Sequence, residues 1–114
     1  MSSSLLPPEI IQCLQQDYVA SFDEKLAHLK AALERHNWEE LYNIFHKLAG
    51  SGATYYMPEI SILGRSAEKY FKTTALPDLK VAQECVAVIE KVFAARKKGL
   101  ECPVDQEPIL KKLA

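Results

Sequence analysis

Apolar residues recur along this chain at helical spacing, and nowhere in the alternation that a strand needs. Between about Asp17 and His36, Phe22, Leu26, Leu29 and Leu33 fall three or four positions apart, while Glu24, Lys25, Lys30 and Glu34 lie off that stripe. The spacing predicts one long amphipathic helix. HNWEE breaks it: Asn37 is a fitting N-cap, and Glu39 and Glu40 place negative charge in the following first turn, where the helix dipole favours it. A second helix from near Trp38 carries Leu41, Phe45, Leu48, Gly52 and Tyr55. YYMPE ends it, because a residue before proline disfavours helical geometry, and Pro58 suits the first position of a third helix. That helix aligns Ile60, Leu63, Gly64, Ala67 and Phe71. After TTALPD, a fourth helix opens at Pro77 or Asp78 and aligns Ala82, Cys85, Val86, Ile89 and Phe93. Arg96, Lys97 and Lys98 complement the dipole of its last turn, and Gly99 can terminate it.

Amphipathic helices joined by short breaks predict an all-α fold, an antiparallel up-down four-helix bundle. LLPPEIIQCLQ predicts a short extra N-terminal helix starting near Pro8, at one end of the bundle. The bundle is assigned residues 1–98, with its core at about 17–98, and 99–114 form a C-terminal tail. The tail holds a weak apolar trio, Ile109, Leu110 and Leu113, and reads either as a short helix against the bundle or as a disordered segment. Trp38 reads as an anchor at a bundle end, with Tyr18 as its neighbour.

Composition narrows the class. A chain of 114 residues can bury a core without metal or disulfide staples, and a net charge of −1 lacks the basic excess of a nucleic-acid binder. No apolar run reaches the roughly 18–20 residues of a membrane span. The start, MSSSLLPPEI, has no basic region leading into a long apolar stretch, so the expected compartment is the cytoplasm. Cys13, Cys85 and Cys102 form no CxxC pair and read as reduced thiols, with Cys85 on a core stripe. The expected state is a monomer.

The candidate chemistry lies in IFHKLAGSGATYY, Ile44 to Tyr56. At about 100° per residue, His46 falls roughly 140° from the centre of the second helix's stripe and faces solvent. Gly50, one turn on, falls roughly opposite the core, on a face shared with Asn43, Ala53 and Thr54, with Lys47 at its edge. A mid-helix glycine costs about 1 kcal/mol relative to alanine. Gly52, inside the stripe, is accounted for by close helix approach. Gly50 has no such role, so it reads as clearance for a partner beside the imidazole. Ala49, Ser51 and Ala53 extend this into a low patch of small residues. A metal site is not indicated, since His28 and His36 sit elsewhere and no Glu-x-x-His pair exists. A hydrolase would need an orienting group, an oxyanion hole and a pocket, none of which a small-residue helix face supplies. What fits is a ring nitrogen that takes a phosphoryl group from a partner and passes it on.

These residues carry a family resemblance. FHKLAGSGATYYMPEISILGRSAEKY, Phe45 to Tyr70, resembles the histidine-containing phosphotransfer (HPt) domains of multistep two-component phosphorelays. The matching positions are His46, Leu48, Gly50 and Ser51. The resemblance implies that His46 is the phosphoacceptor and that Gly50 gives a response-regulator receiver domain room to dock, with Asn43, Lys47, Ser51, Ala53 and Thr54 around it. It implies a carrier that relays phosphate between receiver aspartates, or from a sensor or hybrid histidine kinase to a regulator, without kinase ATP-binding motifs. No cofactor is implied for this chain, since the receiver brings its own Mg²⁺. Two positions depart from the pattern. The family commonly has lysine three residues after the histidine, where this chain has Ala49, and often glycine ten residues after it, where Tyr56 stands. Lys47 is then the candidate for stabilising phosphate. Arg65 and Lys69 read as a solvated basic strip, and Glu68 as a partner for them or for Lys72. The competing reading is a helical docking module that binds a receiver or kinase without accepting phosphate.

Overall fold

The computed structural model describes residues 6–114. Six helices follow one another: α1 (Pro8–Ala20), α2 (Phe22–Glu34), α3 (Trp38–Thr54), α4 (Pro58–Thr73), α5 (Leu79–Lys97) and α6 (Pro108–Leu113). No strand occurs among the described residues. α2 to α5 form the antiparallel four-helix bundle, and α1 is the extra N-terminal helix. Cross-helix pairs fix the directions. Phe22 at the start of α2 stacks on Phe93 near the end of α5, with ring centroids 4.1 Å apart. Glu59 at the start of α4 meets Arg96 at the end of α5.

The helix boundaries are set by local hydrogen bonding. Asn37 caps α3 as its sequence position predicts, its side chain accepting from the Glu40 N–H at 3.1 Å. α2 ends in a left-handed residue, His36 at φ 53°, which lets the Asn37 N–H reach back to the Ala32 carbonyl at 2.9 Å. α3 ends by the same device, with Tyr56 at φ 60° and the Met57 N–H on the Gly52 carbonyl at 2.8 Å. Gly99 closes α5 at φ 76°, a conformation that glycine adopts without a Cβ penalty.

One expected element divides in two. The long helix expected over Asp17–His36 is broken at Ser21, so Asp17–Ala20 belong to α1. Both the hydroxyl and the N–H of Ser21 donate to the Tyr18 carbonyl, at 2.6 and 3.0 Å. This tight local bonding competes with the regular helical ladder. The break frees α1 to lie over the end of α3, where Gln15 Nε2 donates to the Tyr55 carbonyl at 3.1 Å. Tyr18 therefore stacks on Tyr55, with centroids 4.5 Å apart, and is not a neighbour of Trp38. Trp38 is half-buried between His36 and Phe71.

The predicted stripes form the core. Phe22, Leu29, Leu41, Phe45, Ile60, Leu63, Ala67, Cys85 and Ile89 are all buried. Leu26 and Leu33 pack against that core while remaining partly exposed. Burial pushes the Cys85 thiol up to about 12, which keeps it protonated and unreactive. The C-terminal segment is packed: Val104, Ile109 and Leu113 are buried. It is tied down by Glu59, whose carboxylate receives Arg96 through two bonds of 2.9 and 2.8 Å and the Cys102 N–H at 3.1 Å. Burial alone would raise the Glu59 carboxyl, but the Arg96 fork and the Cys102 N–H outweigh it and hold it below its ordinary value.

A carboxyl depressed by folding stabilises the native state above its unfolded-state value, and that contribution disappears as pH falls through the folded value. Arg96→Ala leaves the buried carboxylate without its partner and is expected to cost about 3–5 kcal/mol in urea unfolding at pH 7. The stability gap between the wild type and Glu59→Gln is expected to narrow as pH falls below the ordinary carboxylate range. A gap independent of pH would show that the Glu59 charge contributes nothing.

Candidate functional site

The site rests on how closely α4 lies against α3. A Cβ on Gly52 would stand 2.6 Å from the Ser61 nitrogen, and a Cβ on Gly64 would stand 2.8 Å from the Ala49 nitrogen. These two glycines, one from each helix, remove the atoms that would hold the backbones apart. Ser61 then donates its buried hydroxyl to the Ala49 carbonyl at 2.8 Å. The register runs antiparallel: Ser61 lies beside Ala49 and Gly52, Gly64 beside Ala49, and Glu68 beside His46.

His46 stands on the outer face of α3 with 62% of its side chain exposed. Its Nδ1 lies 2.7 Å from Glu68 Oε2, and the Glu68 side chain is itself mostly covered. An ionised carboxylate only accepts hydrogen bonds, so Nδ1 carries the proton. In the neutral ring the lone pair is then on Nε2, the nitrogen left for an incoming electrophile. Tyr42, one turn earlier on α3, lies nearly parallel to the imidazole at 18°, with centroids 6.0 Å apart. Glu68 and Tyr42 together restrict the ring's rotation. The result is an oriented imidazole on an open surface.

The residues predicted around His46 separate into two groups. Asn43, Lys47, Gly50, Ala53 and Thr54 are exposed, as expected. A Cβ built on Gly50 meets nothing within 4 Å, so no contact among the described residues requires glycine there. Thr54 donates its hydroxyl to the Gly50 carbonyl at 3.1 Å, which closes off that backbone oxygen. Ser51 and Ala49 depart from the flat patch. Ser51 is half-buried, its hydroxyl 2.6 Å from that of Tyr18, so it turns toward α1. Burial pushes the Tyr18 hydroxyl above its ordinary value, with the Ser51 bond partly opposing the shift. Ala49 is only 6% exposed, because Gly64 lets α4 cover it.

Sequence reasoning missed Glu68 as the partner of His46 and assigned it to neighbouring cations instead. The two residues are 22 positions apart, and only the register of α3 against α4 joins them. The available signal was the Gly52 and Gly64 pair, which marks the crossing. Tyr42 was missed as well, although its one-turn spacing to His46 was a signal for it. Among the described residues no three His, Cys, Asp or Glu side chains come together in a group able to hold a metal ion. No described helix is long and apolar enough to cross a membrane.

The helical bundle thus presents an oriented, largely exposed imidazole one turn from a bare glycine. The sequence model of the Hpt domain matches residues 14–107, most of the chain, and the protein belongs to that family. Comparison with curated proteins and with solved structures gave no match. Membership assigns the chain a role in histidine phosphotransfer within phosphorelays, as a phosphocarrier of the kind that interacts with receiver domains and kinases.

The glycines allow an internal contrast. Gly50→Ala is expected to raise stability by up to about 1 kcal/mol, since helix propensity improves and nothing clashes. Gly64→Ala is expected to lower it by about 1–3 kcal/mol through overpacking against the α3 backbone. Urea unfolding of both variants measures this. Equal effects at the two positions would contradict the assigned geometry.

Proposed function

We propose that this protein accepts a phosphoryl group on His46 Nε2 from a receiver-domain aspartate or a hybrid sensor kinase and passes it to a response regulator. The observation that carries the reading is the His46–Glu68 pair, which holds Nδ1 and leaves Nε2 facing solvent. In the forward step the Nε2 lone pair forms the N–P bond, and the aspartyl P–O bond breaks with its electrons returning to the carboxylate. The Nδ1 proton stays directed at Glu68, which offsets positive charge on the phosphorylated ring. In the return step the same bonds exchange in reverse. The receiver contributes Mg²⁺ and the in-line geometry, so the carrier's part is orientation and access.

Gly50 supports this reading through what it lacks. The exposed strip of Asn43, Gly50, Ala53 and Thr54 lets another protein's surface come down beside the imidazole. The protein would act as a cytoplasmic monomer, with no metal or cofactor of its own. One observation keeps a second reading in play: Ala49 stands where the family commonly has lysine, as it would in a docking module that has lost phosphate transfer.

Incubation with a phosphorylated receiver domain is expected to yield an acid-labile, base-stable label on the wild type and none on His46→Gln. Glu68→Ala is expected to accept the label about ten- to a hundredfold more slowly, because the ring loses its orienting partner. Label persisting on His46→Gln would refute the site. Receiver binding that survives His46→Ala, with no label on the wild type, would establish the docking module instead.

A further inference from the structure

Phosphate attached to His46 would place a dianion on a helix face whose nearest anchoring group is the carboxylate of Glu68. A nearby cation would stabilise such a group, and residue 49 does not supply one. Position 49 is alanine, buried beneath α4 at the crossing with Gly64. The hydrogen-bond chain at that crossing leads to a replacement. The Ala49 carbonyl accepts from Ser61 Oγ at 2.8 Å, and Ser61 Oγ is met by Arg65 Nη2 at 3.4 Å. Ser61 thus links the Arg65 guanidinium on α4 to the backbone of residue 49 on α3.

Arg65 is exposed, and three features suit it to this role. It lines an open groove of about 470 Å³ with Ala53, Tyr56, Ser61 and Ile62, beside the strip that Gly50 leaves bare. Its single bond within the protein is long, and no carboxylate pairs with it among the described residues. Arg96, by contrast, is held by two short bonds to Glu59. Arg65 also lies three residues before Glu68 on the same face of α4, one turn nearer the start of that helix, where it now reaches back to Ser61. One helical turn, about 5 Å, separates residue 49 from His46, within the sweep of a long flexible side chain. Lys47 is exposed but points roughly 100° around α3 from His46.

We infer that Arg65 is a phosphoryl-binding residue: it supplies from α4 the positive charge that holds and shields phosphate on His46. The inference rests on the carrier reading above. Glu68 takes the proton of Nδ1, and the planar guanidinium takes two oxygens of the phosphoryl group on Nε2. Releasing Arg65 from Ser61 breaks only the weakest of the bonds at this crossing, so the α3–α4 packing is unaffected.

The test uses phosphoramidate as donor and needs no partner protein. The His46 Nε2 lone pair forms the new N–P bond, and ammonia leaves with the electrons of the broken one. The ³¹P resonance of the phosphohistidine is then followed against pH in the full chain. Arg65→Ala is expected to raise the phosphoryl group's apparent pKa by roughly half to one unit and to shorten the label's half-life several-fold. Arg65→Lys is expected to restore part of both, and Lys69→Ala to leave both at the wild-type values. A titration of Arg65→Ala that coincides with the wild type would overturn the proposal while leaving the carrier reading intact, as would a shift in Lys47→Ala with none in Arg65→Ala. A wild type that takes no label from phosphoramidate or from a phosphorylated receiver would remove the carrier reading, and this inference with it.

Discussion

The closeness of α3 and α4 decides the rest of the structure. Gly52 and Gly64 leave no side-chain atoms at the points where the two backbones meet, and any Cβ there would fall under 3 Å from a backbone nitrogen. Close approach of this kind has an exact register, because each glycine accommodates one particular residue of the other helix. The register brings Glu68 to His46 and Ser61 to the Ala49 carbonyl. A slip of one turn would separate both pairs. The same contact that packs the core therefore aims the imidazole, and the chemistry needs no loop or pocket to hold it.

The helix that carries His46 is a poor helix by propensity, since two glycines, a serine and a threonine crowd its last turns. It holds because Leu41, Phe45, Leu48 and Gly52 are buried along one side and both ends are closed by hydrogen bonds. Asn37 satisfies the first turn, the Met57 N–H satisfies a carbonyl of the last, and Gln15 reaches over from α1 to the Tyr55 carbonyl. Stability is thus concentrated on the inner side and at the ends. The outer side is left free to carry Gly50, whose cost is not repaid by any contact within the chain.

Much of this was legible in the sequence where a single helix decides the outcome. The stripes of the second, third and fourth predicted helices proved buried except for Tyr55, which is half-buried, and Asn37, Pro58, Asp78 and Gly99 sit at the helix ends their chemistry suggests. The outward direction of His46 and Gly50 followed from rotation alone. Legibility failed where two elements share the decision. Ser21 breaks a stripe that looks continuous, because its side chain bonds backward onto Tyr18. Ala49 and Ser51 fall about 80° to either side of the stripe's centre, where rotation alone does not decide exposure, and α4 covers one while α1 turns the other inward. Glu68 is invisible as a partner for His46 until the register between two helices is known.

On the proposed function, the openness of the site would follow from dividing the labour of phosphoryl transfer. Positioning and charge neutralisation account for most of such catalysis, and both can reside on the other protein. A carrier that enclosed its histidine would have to open for each partner, and a deep pocket would fit one of them at the expense of the other. An imidazole fixed at Nδ1 by Glu68 and flanked by Tyr42 keeps one geometry for donor and acceptor alike. Its orientation is prepaid by folding, so little ordering cost remains at the encounter. In the proposed relay the bare backbone at Gly50 would give both partners the same path to Nε2, and an open helix face would serve two-way transfer better than a cleft.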